Sequence, residues 1–345
     1  MDSGFAPSAR PGMTRTMRNL ITDVPGLKVG HAEDIRLGSG STVVVFDEPA
    51  VASIDVRGGG PGTRESILLD PAQTIEAIDA ITLSGGSAFG LDAASGTQAW
   101  LREQRRGFAV RSARVPIVPA AVLFDLLNGG NKDWGRFPPY RDFGYAAAAG
   151  AALDFALGSV GAGTGATTAN CKGGIGSASA QTADGFVVGA LAAVNAVGSV
   201  VVGDGPWFWA APFEVDGEFG DRGLPDTFPP PNIAPRIKGG APENTTLVVV
   251  ATDAQLTKAQ AKRVAVMAQS GMSRAIYPVH SPLDGDVLFA ASTGRRPIAD
   301  PIVALTMLGA AAANVVARAI ARGVFAAKAL PVSPAMPSWR DQFGR

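Results

Sequence analysis

Thr245 stands in the triplet Asn244-Thr245-Thr246, where a Gly/Pro-rich polar run passes abruptly into Leu247-Val248-Val249-Val250-Ala251, a β-branched run with the character of a buried strand. Threonine is common at strand starts for its β-propensity alone, and that is one reading of the position. The other is chemical. The Thr245 hydroxyl cuts the Asn244–Thr245 peptide bond, leaving Thr245 as a new N-terminus with its hydroxyl as nucleophile and its own α-amine as base. An α-amine titrates at about 7.7–8.0, so about half or less of it is free base at neutral pH, whereas a lysine amine would be almost wholly protonated.

Several other residues could serve such a centre. Asp284-Gly285-Asp286 lies between two apolar runs, where it reads either as a hairpin turn or as two carboxylates that hold an amine. Asn195 is the one strongly polar residue in 186–202, and it either closes a turn or points its amide at an oxyanion. Lys172 is the only charge in the glycine-rich stretch 160–176, as a solvated loop residue or as a ligand-facing one. Gly85, Gly86 and Ser87 would let a helix N-terminus approach a ligand or a strand, with Ser87 as a pocket-lining or capping residue. Gly-Gly-Ser-Ala-Phe-Gly does not fit a nucleophile elbow. The loop Arg57-Gly58-Gly59-Gly60-Pro61-Gly62 lacks the ending of a P-loop and the spacing of a dinucleotide fingerprint, so a tight turn passing close to other backbone is favoured over a phosphate site.

A sheet with helices must position these groups. Runs 41–46 and 51–56 are predicted as two strands of a hairpin, and a helix is predicted to continue to about Arg105. The apolar run 115–127 contains Asp125, a charge that wants a partner. An alanine-rich helix is predicted over 145–157, and two strands over 186–202 with Asn195 between them. Residues 203–244 carry repeated prolines and read as a long surface linker. Thr257 caps a helix to about Gly271, strands follow at 276–280 and 287–292, and a last helix runs over 302–322 before an irregular tail.

With 345 residues, 46% hydrophobic and 17% charged, the chain can bury a large core. Thirty basic residues balance thirty acidic ones, which leaves no electrostatic case for nucleic acid or an anionic membrane. Cys171 is the only cysteine and His31 and His280 are the only histidines, so neither an intrachain disulfide nor a zinc site is expected, and a reducing cytoplasm is the default compartment. Residues 1–19 read as a disordered tail, and the longest apolar runs fall at or below the lower limit for a membrane span. A soluble protein without metal is the expectation.

Asn244-Thr245-Thr246-Leu247, the run 280–290, the loop 57–65, Gly85-Gly86-Ser87-Ala88-Phe89-Gly90-Leu91 and Val115-Pro116-Ile117-Val118-Pro119-Ala120 together resemble the self-processing L-aminopeptidase/D-esterase family, which includes β-peptidyl aminopeptidases and the nylon-oligomer hydrolase (6-aminohexanoate-oligomer endohydrolase). The resemblance implies an α/β protein, a four-layer α-β-β-α sandwich of the N-terminal-nucleophile type without cofactor, assembling as a homo-oligomer, often a tetramer. It implies a cut between an α fragment, 20–244, and a β fragment, 245–345, which together form one domain. Thr245 matches the nucleophile, Asn195 the oxyanion asparagine, and Asp284 and Asp286 the acidic or hydroxyl pair beside the nucleophile's amine. Lys172 matches the lysine of the glycine-rich loop, or Asn170 does if the register is set on Gly161-Ala162-Gly163. Phe124 stands where some members carry a tyrosine that assists the oxyanion, and with Gly85, Gly86 and Ser87 it is assigned to the substrate pocket.

The expected activity is hydrolysis of aminoacyl, peptide-like or aminohexanoate-oligomer amides through an acyl-enzyme on Thr245. Two rivals remain at this level: an acyltransferase of the ornithine acetyltransferase type, and a non-catalytic small-molecule binding protein with an intact chain.

Overall fold

The computed structural model describes residues 17–230, 235–238 and 244–344. Among them, β1 (Leu27–Asp34), β2 (Ser39–Val56), β3 (Gly62–Arg64) and β4 (Ala77–Ser84) precede helix α1 (Asp92–Glu103). β5 (Phe108–Val110), β6 (Ala113–Val115) and β7 (Ala120–Val122) lead to α2 (Tyr140–Ala149). β8 (Ile175–Gln181), β9 (Val187–Asn195) and β10 (Thr245–Ala254) come before α3 (Lys258–Ser273), and β11 (Val287–Arg296) before α4 (Pro301–Ala326) and α5 (Trp339–Phe343).

The main sheet runs β3-β7-β4-β2-β11-β10-β9-β8, with β1 also paired to β2, while β5 and β6 pair apart from it. β10 and β11 run parallel at its centre, and β10 is antiparallel to β9. Alternation along the strands sorts side chains into three cores. Val248 and Val250 pack with Val264, Val315 and Val316 under α3 and α4. Leu247 and Val249 face the opposite way and meet Val44, Phe46, Ile81 and Leu83 in a central core. Val43, Val45 and Ala80 point away from that core and pack with Ala94, Leu101 and Ala147 of α1 and α2. The result is the expected α-β-β-α sandwich. Full burial of each such aliphatic side chain contributes about 1.5–3 kcal/mol, so the central core is what clamps the two β layers together.

β2 links the layers. Residues 41–45 pair with β4, whereas 51–56 pair with β11, and the register shifts between Val45 and Ala50. The predicted hairpin is thus a single 18-residue strand. Asp47-Glu48-Pro49 is exposed and lies in the register shift, where a proline without an N–H is tolerated and need not turn the chain.

Other local expectations are corrected in the same way. α2 begins at Tyr140 and stops at Ala149, before Gly150, so 150–157 is not helical. Asn195 ends β9 and does not join two regular strands, because beyond it only isolated bridges form, Ser199 to Tyr277 and Val201 to Phe208. Residues 276–280 make no regular strand, and Tyr277–Pro278 is cis. The tail holds α5, whose Trp339 stacks on Phe208. Of the expected disordered tail 1–19, residues 1–16 lie outside the described residues, while Arg18 and Asn19 bond to Asp154 and to Glu218 and Arg318 respectively. α4 is, by length and composition alone, long and apolar enough to cross a bilayer. Leu308, Ala312, Val316 and Ile320 on it are buried in the core under the sheet, which accounts for its apolarity.

Candidate active site

Thr245 opens β10 and sits opposite Asn195, the last residue of β9, in the antiparallel register. Asn244 makes a parallel bridge to Asp284 just ahead of β11. The nucleophile candidate, the asparagine and the acidic turn therefore meet at one end of the central strands. They are shielded from solvent: Asn195, Asn244, Thr245, Asp284 and Asp286 are each 4% exposed or less.

The Thr245 hydroxyl donates to the carbonyl oxygen of Asn244 at 2.5 Å, and the same oxygen accepts the Gly285 N–H at 2.9 Å. The Asn244 side chain is buried, and among the described residues neither its oxygen nor its nitrogen has a hydrogen-bond partner. Leaving such a group unpaired costs about 1–3 kcal/mol.

Asp286 reaches the start of β10 directly. One carboxylate oxygen accepts the Thr246 N–H at 2.8 Å, and the other accepts the His280 N–H at 3.1 Å and lies 2.9 Å from His280 Nδ1. Asp284 accepts from the N–H of Val197 and from the N–H and hydroxyl of Ser281. Burial, with the Asp286 charge beside it, raises the Asp284 carboxyl above its ordinary range. The turn is not a hairpin, since residues 276–280 before it form no strand and β11 after it pairs with β10 and β2. It is braced by the glycine loop, where Arg57 and Gly58 donate to the Asp286 carbonyl and Gly60 to that of Asp284. A Cβ on Gly58 would fall 2.2 Å from the Asp286 nitrogen, so close backbone approach is the use of that loop.

Asn195 donates through Nδ2 to the Phe124 carbonyl at 2.9 Å, and its Oδ1 accepts from the Thr167 N–H, Asn128 Nδ2 and Lys238 Nζ. Lys172 makes no hydrogen bond to Thr245. Its ammonium donates to the carbonyls of Gly163, Ala166 and Gly173 at 2.6–3.0 Å. Burial pushes this amine down to about 7, with Asp125 raising it and Lys238 lowering it. Three carbonyls nevertheless match the three donors of an ammonium, where a neutral amine has only two N–H groups. The Ala166 carbonyl belongs to the peptide whose N–H, on Thr167, bonds Asn195, so the glycine-rich loop connects Lys172 to Asn195. Asn170, the alternative, accepts from Ser199 at 3.2 Å.

The turn 85–87 lies beside Asp125. Gly86 donates to Asp125, which also accepts from Ser39, and the Tyr140 hydroxyl donates in turn to Ser39. A Cβ on Gly85 would fall 2.2 Å from Asp125 and one on Gly86 2.1 Å from Tyr140, while Ser87 donates its N–H to the Leu123 carbonyl. These residues pack on a buried polar network, and Asp125 has the partners its position demanded. A cavity of about 460 Å³ instead lies beside Ser199, Val201, Trp209, Phe228, Arg236 and Tyr277. None of the predicted site residues lines it. Residues 236 and 238 run from this cavity to Asn195, since Lys238 also donates its N–H to the Val197 carbonyl. Sequence reasoning passed over His280, Gly285 and Asn128 as site residues; only the Asp-Gly-Asp motif hinted at the second.

The sequence pattern of peptidase family S58 matches residues 19–334. An uncharacterized aminopeptidase of Mycobacterium bovis is 45% identical over 350 residues, covering 94% of this chain and 98% of the relative. The 6-aminohexanoate-oligomer endohydrolase of Paenarthrobacter ureafaciens is 28% identical over 291 residues, covering 79% and 74%. Two solved structures share the fold at a TM-score of 0.69: a Burkholderia sp. beta-aminopeptidase, 24% identical and covering 96% and 94% of the two chains, and the L-aminopeptidase D-Ala-esterase/amidase of Ochrobactrum anthropi, a variant of the Ntn hydrolase fold, 21% identical and covering 94% and 91%. Since the match takes in Asn195, Thr245 and the 284–286 turn together, and extends over nearly the whole described chain, the protein is a hydrolase of the aminopeptidase/amidase class and belongs to peptidase family S58.

Proposed function

We infer that this hydrolase matures by cutting its own Asn244–Thr245 bond and then uses Thr245 as an N-terminal nucleophile on amides. The observation that carries the reading is the Thr245 hydroxyl lying 2.5 Å from the carbonyl oxygen of the residue before it. The unpaired Asn244 amide adds to it, because release of that side chain on cleavage relieves a burial cost. In turnover Thr245 attacks the substrate carbonyl and its α-amine shuttles protons. Asn195 holds the oxyanion, and water deacylates the ester. Asp284 and Asp286 hold the amine and the substrate, and Lys172 positions Asn195. Thr245 is only 4% exposed in the uncut chain, so substrate turnover has to follow cleavage.

The substrate class we favour is amides with a free amine, aminoacyl and peptide-like compounds or aminohexanoate oligomers, with the acidic pair and the 28%-identical endohydrolase as support. A homo-oligomer, a tetramer, in the cytoplasm is the accompanying proposal. Membership of a peptidase family sets aside a non-catalytic binding protein. The test is an intact-mass spectrum of purified protein, with Edman sequencing of any small fragment. A smaller species beginning Thr-Thr-Leu-Val is expected, together with hydrolysis of at least one of aminoacyl p-nitroanilides, β-peptides and aminohexanoate oligomers. A Thr245→Ala protein that still cleaved itself and hydrolysed amides would overturn the reading, and an N-acyl product formed with an acceptor amine would replace hydrolysis by acyl transfer.

A further inference from the structure

We propose that Gly285 is a catalytic residue of the self-cleavage step: its backbone N–H holds the scissile carbonyl oxygen, and its missing side chain is the space that the Thr245 hydroxyl occupies. This rests on the self-cleavage reading above and goes beyond it in naming the electrophilic group.

The oxygen that gains negative charge when the Thr245 hydroxyl adds to the Asn244 carbonyl carbon already accepts the Gly285 N–H at 2.9 Å. A backbone donor at that distance, aimed before the reaction starts, stabilises the tetrahedral adduct without reorganisation. The donor is held in place from several sides. Asn244 bridges Asp284, the Asp284 N–H bonds the Ser281 carbonyl, and the Asp284 carbonyl accepts the Gly60 N–H at 2.8 Å. The flanking carboxylates are fixed in turn, Asp284 on Ser281 and Val197, Asp286 on Thr246 and His280. The hydrogen bonds that Asn195 makes to described residues go to Phe124, Thr167, Asn128 and Lys238, and not to the Asn244 oxygen.

The side chain is excluded as firmly as the N–H is required. A Cβ at 285 would lie 2.5 Å from Thr245 Oγ and 2.8 Å from the Gly60 carbonyl oxygen. Real Cβ atoms do not approach so closely, and the Gly60 oxygen belongs to backbone that is itself hydrogen-bonded. Alanine would therefore push the hydroxyl away from the bond it must attack. In the step itself, the Thr245 oxygen bonds to the Asn244 carbonyl carbon and the carbon–nitrogen bond breaks. The hydroxyl proton ends on the Thr245 nitrogen, giving an ester and a free amine. Water then cleaves the ester, returning the Thr245 hydroxyl and leaving an Asn244 carboxylic acid.

The test is cell-free translation of the full chain with glycolic acid in place of Gly285, which exchanges the N–H for an oxygen and adds no side chain. Wild type and Thr245→Ala are translated alongside, and cleavage is followed as the splitting of one labelled band into two. Loss of a single oxyanion donor slows such steps by about 10²–10³-fold, and that slowing is expected. A slowing of less than tenfold overturns the proposal. Purified Gly285→Ala is the second variant, expected to stay full length with an unchanged circular dichroism spectrum and elution volume, and its cleavage at the wild-type rate would overturn the steric half. Failure of the parent reading shows separately, as wild-type chain that never splits.

Discussion

At Thr245 the residue type that chemistry demands meets the location it demands, a hydroxyl placed at its own preceding peptide bond. The neighbouring Asn244 makes an unusual prediction. In a Thr245→Ala background, where no cleavage can intervene, Asn244→Ala is expected to leave stability unchanged or raised, whereas truncating a satisfied buried amide costs about 1–3 kcal/mol. Urea unfolding of the two proteins decides it. Asp284 gives a pH prediction. Its carboxyl is raised above the usual 3.8 by burial and Asp286, so if its ionised form supports cleavage, the cleavage rate falls with acidification through a midpoint above that value. A profile that Asp284→Asn leaves unaltered would rule the carboxylate out. Far from the site, burial pushes His31 down to about 4. An unfolded histidine titrates near about 6.5, so the unfolded chain binds the proton first as pH falls. The His31 contribution to stability is complete above that value and is lost progressively toward pH 4. Unfolding curves across this window should show a smaller acid loss for His31→Asn than for wild type.

At the scale of elements, the glycine-rich stretch before β8 is a cradle around one ammonium and not a flexible connector. Lys172→Met would leave the buried Gly173 carbonyl without the lysine's hydrogen bond, while the Gly163 and Ala166 carbonyls keep the N–H groups of Ala166 and Gly173, and a loss of about 1–3 kcal/mol is expected in chemical denaturation. Loss of order in this loop should reach Asn195 through Thr167, so any residual activity would show a lowered kcat. The start of α3 was legible in advance. Thr257 and Gln260 form a capping box that the residue spacing announces. The hairpin predicted from runs 41–46 and 51–56 proved to be one strand because the residues between them, Asp47-Glu48-Pro49, sit in a register shift, and only the pairing partners distinguish that from a turn. β8, within 160–181, escaped because glycine, serine and alanine carry little strand signal, and its strand character comes from pairing with β9.

For the whole molecule, the two pieces that a cut at 244 would create are interleaved. β10 and β11 lie side by side at the centre of the sheet, flanked by β9 on one edge and β2 on the other. The cleaved protein is therefore expected to elute as one species under native conditions and to separate only in denaturant. Fragments that part on a native column would contradict this topology. α4 presents Ile302, Val303 and Met307 to solvent at 80%, 54% and 43% exposure, apolar surface that a second copy in the proposed oligomer could cover.

By itself the sequence determined which groups are available for chemistry. A hydroxyl follows an asparagine at a loop-to-strand edge, two carboxylates sit one residue apart, and a lysine stands alone among glycines. These are facts of local order, and strand, cap and motif signals read them directly. Tertiary structure alone decided what each group touches. The ladder register sets Asn195 opposite Thr245, and the parallel pairing of β10 with β11 carries the Gly285 N–H to the Asn244 oxygen. The buried loop turns Lys172 onto carbonyls and away from the nucleophile. The contacts of Asn195 with Thr245 and of Gly285 with Asn244 join residues about 40 to 50 positions apart, and their energies come from packing and hydrogen bonding between strands, which no local propensity encodes.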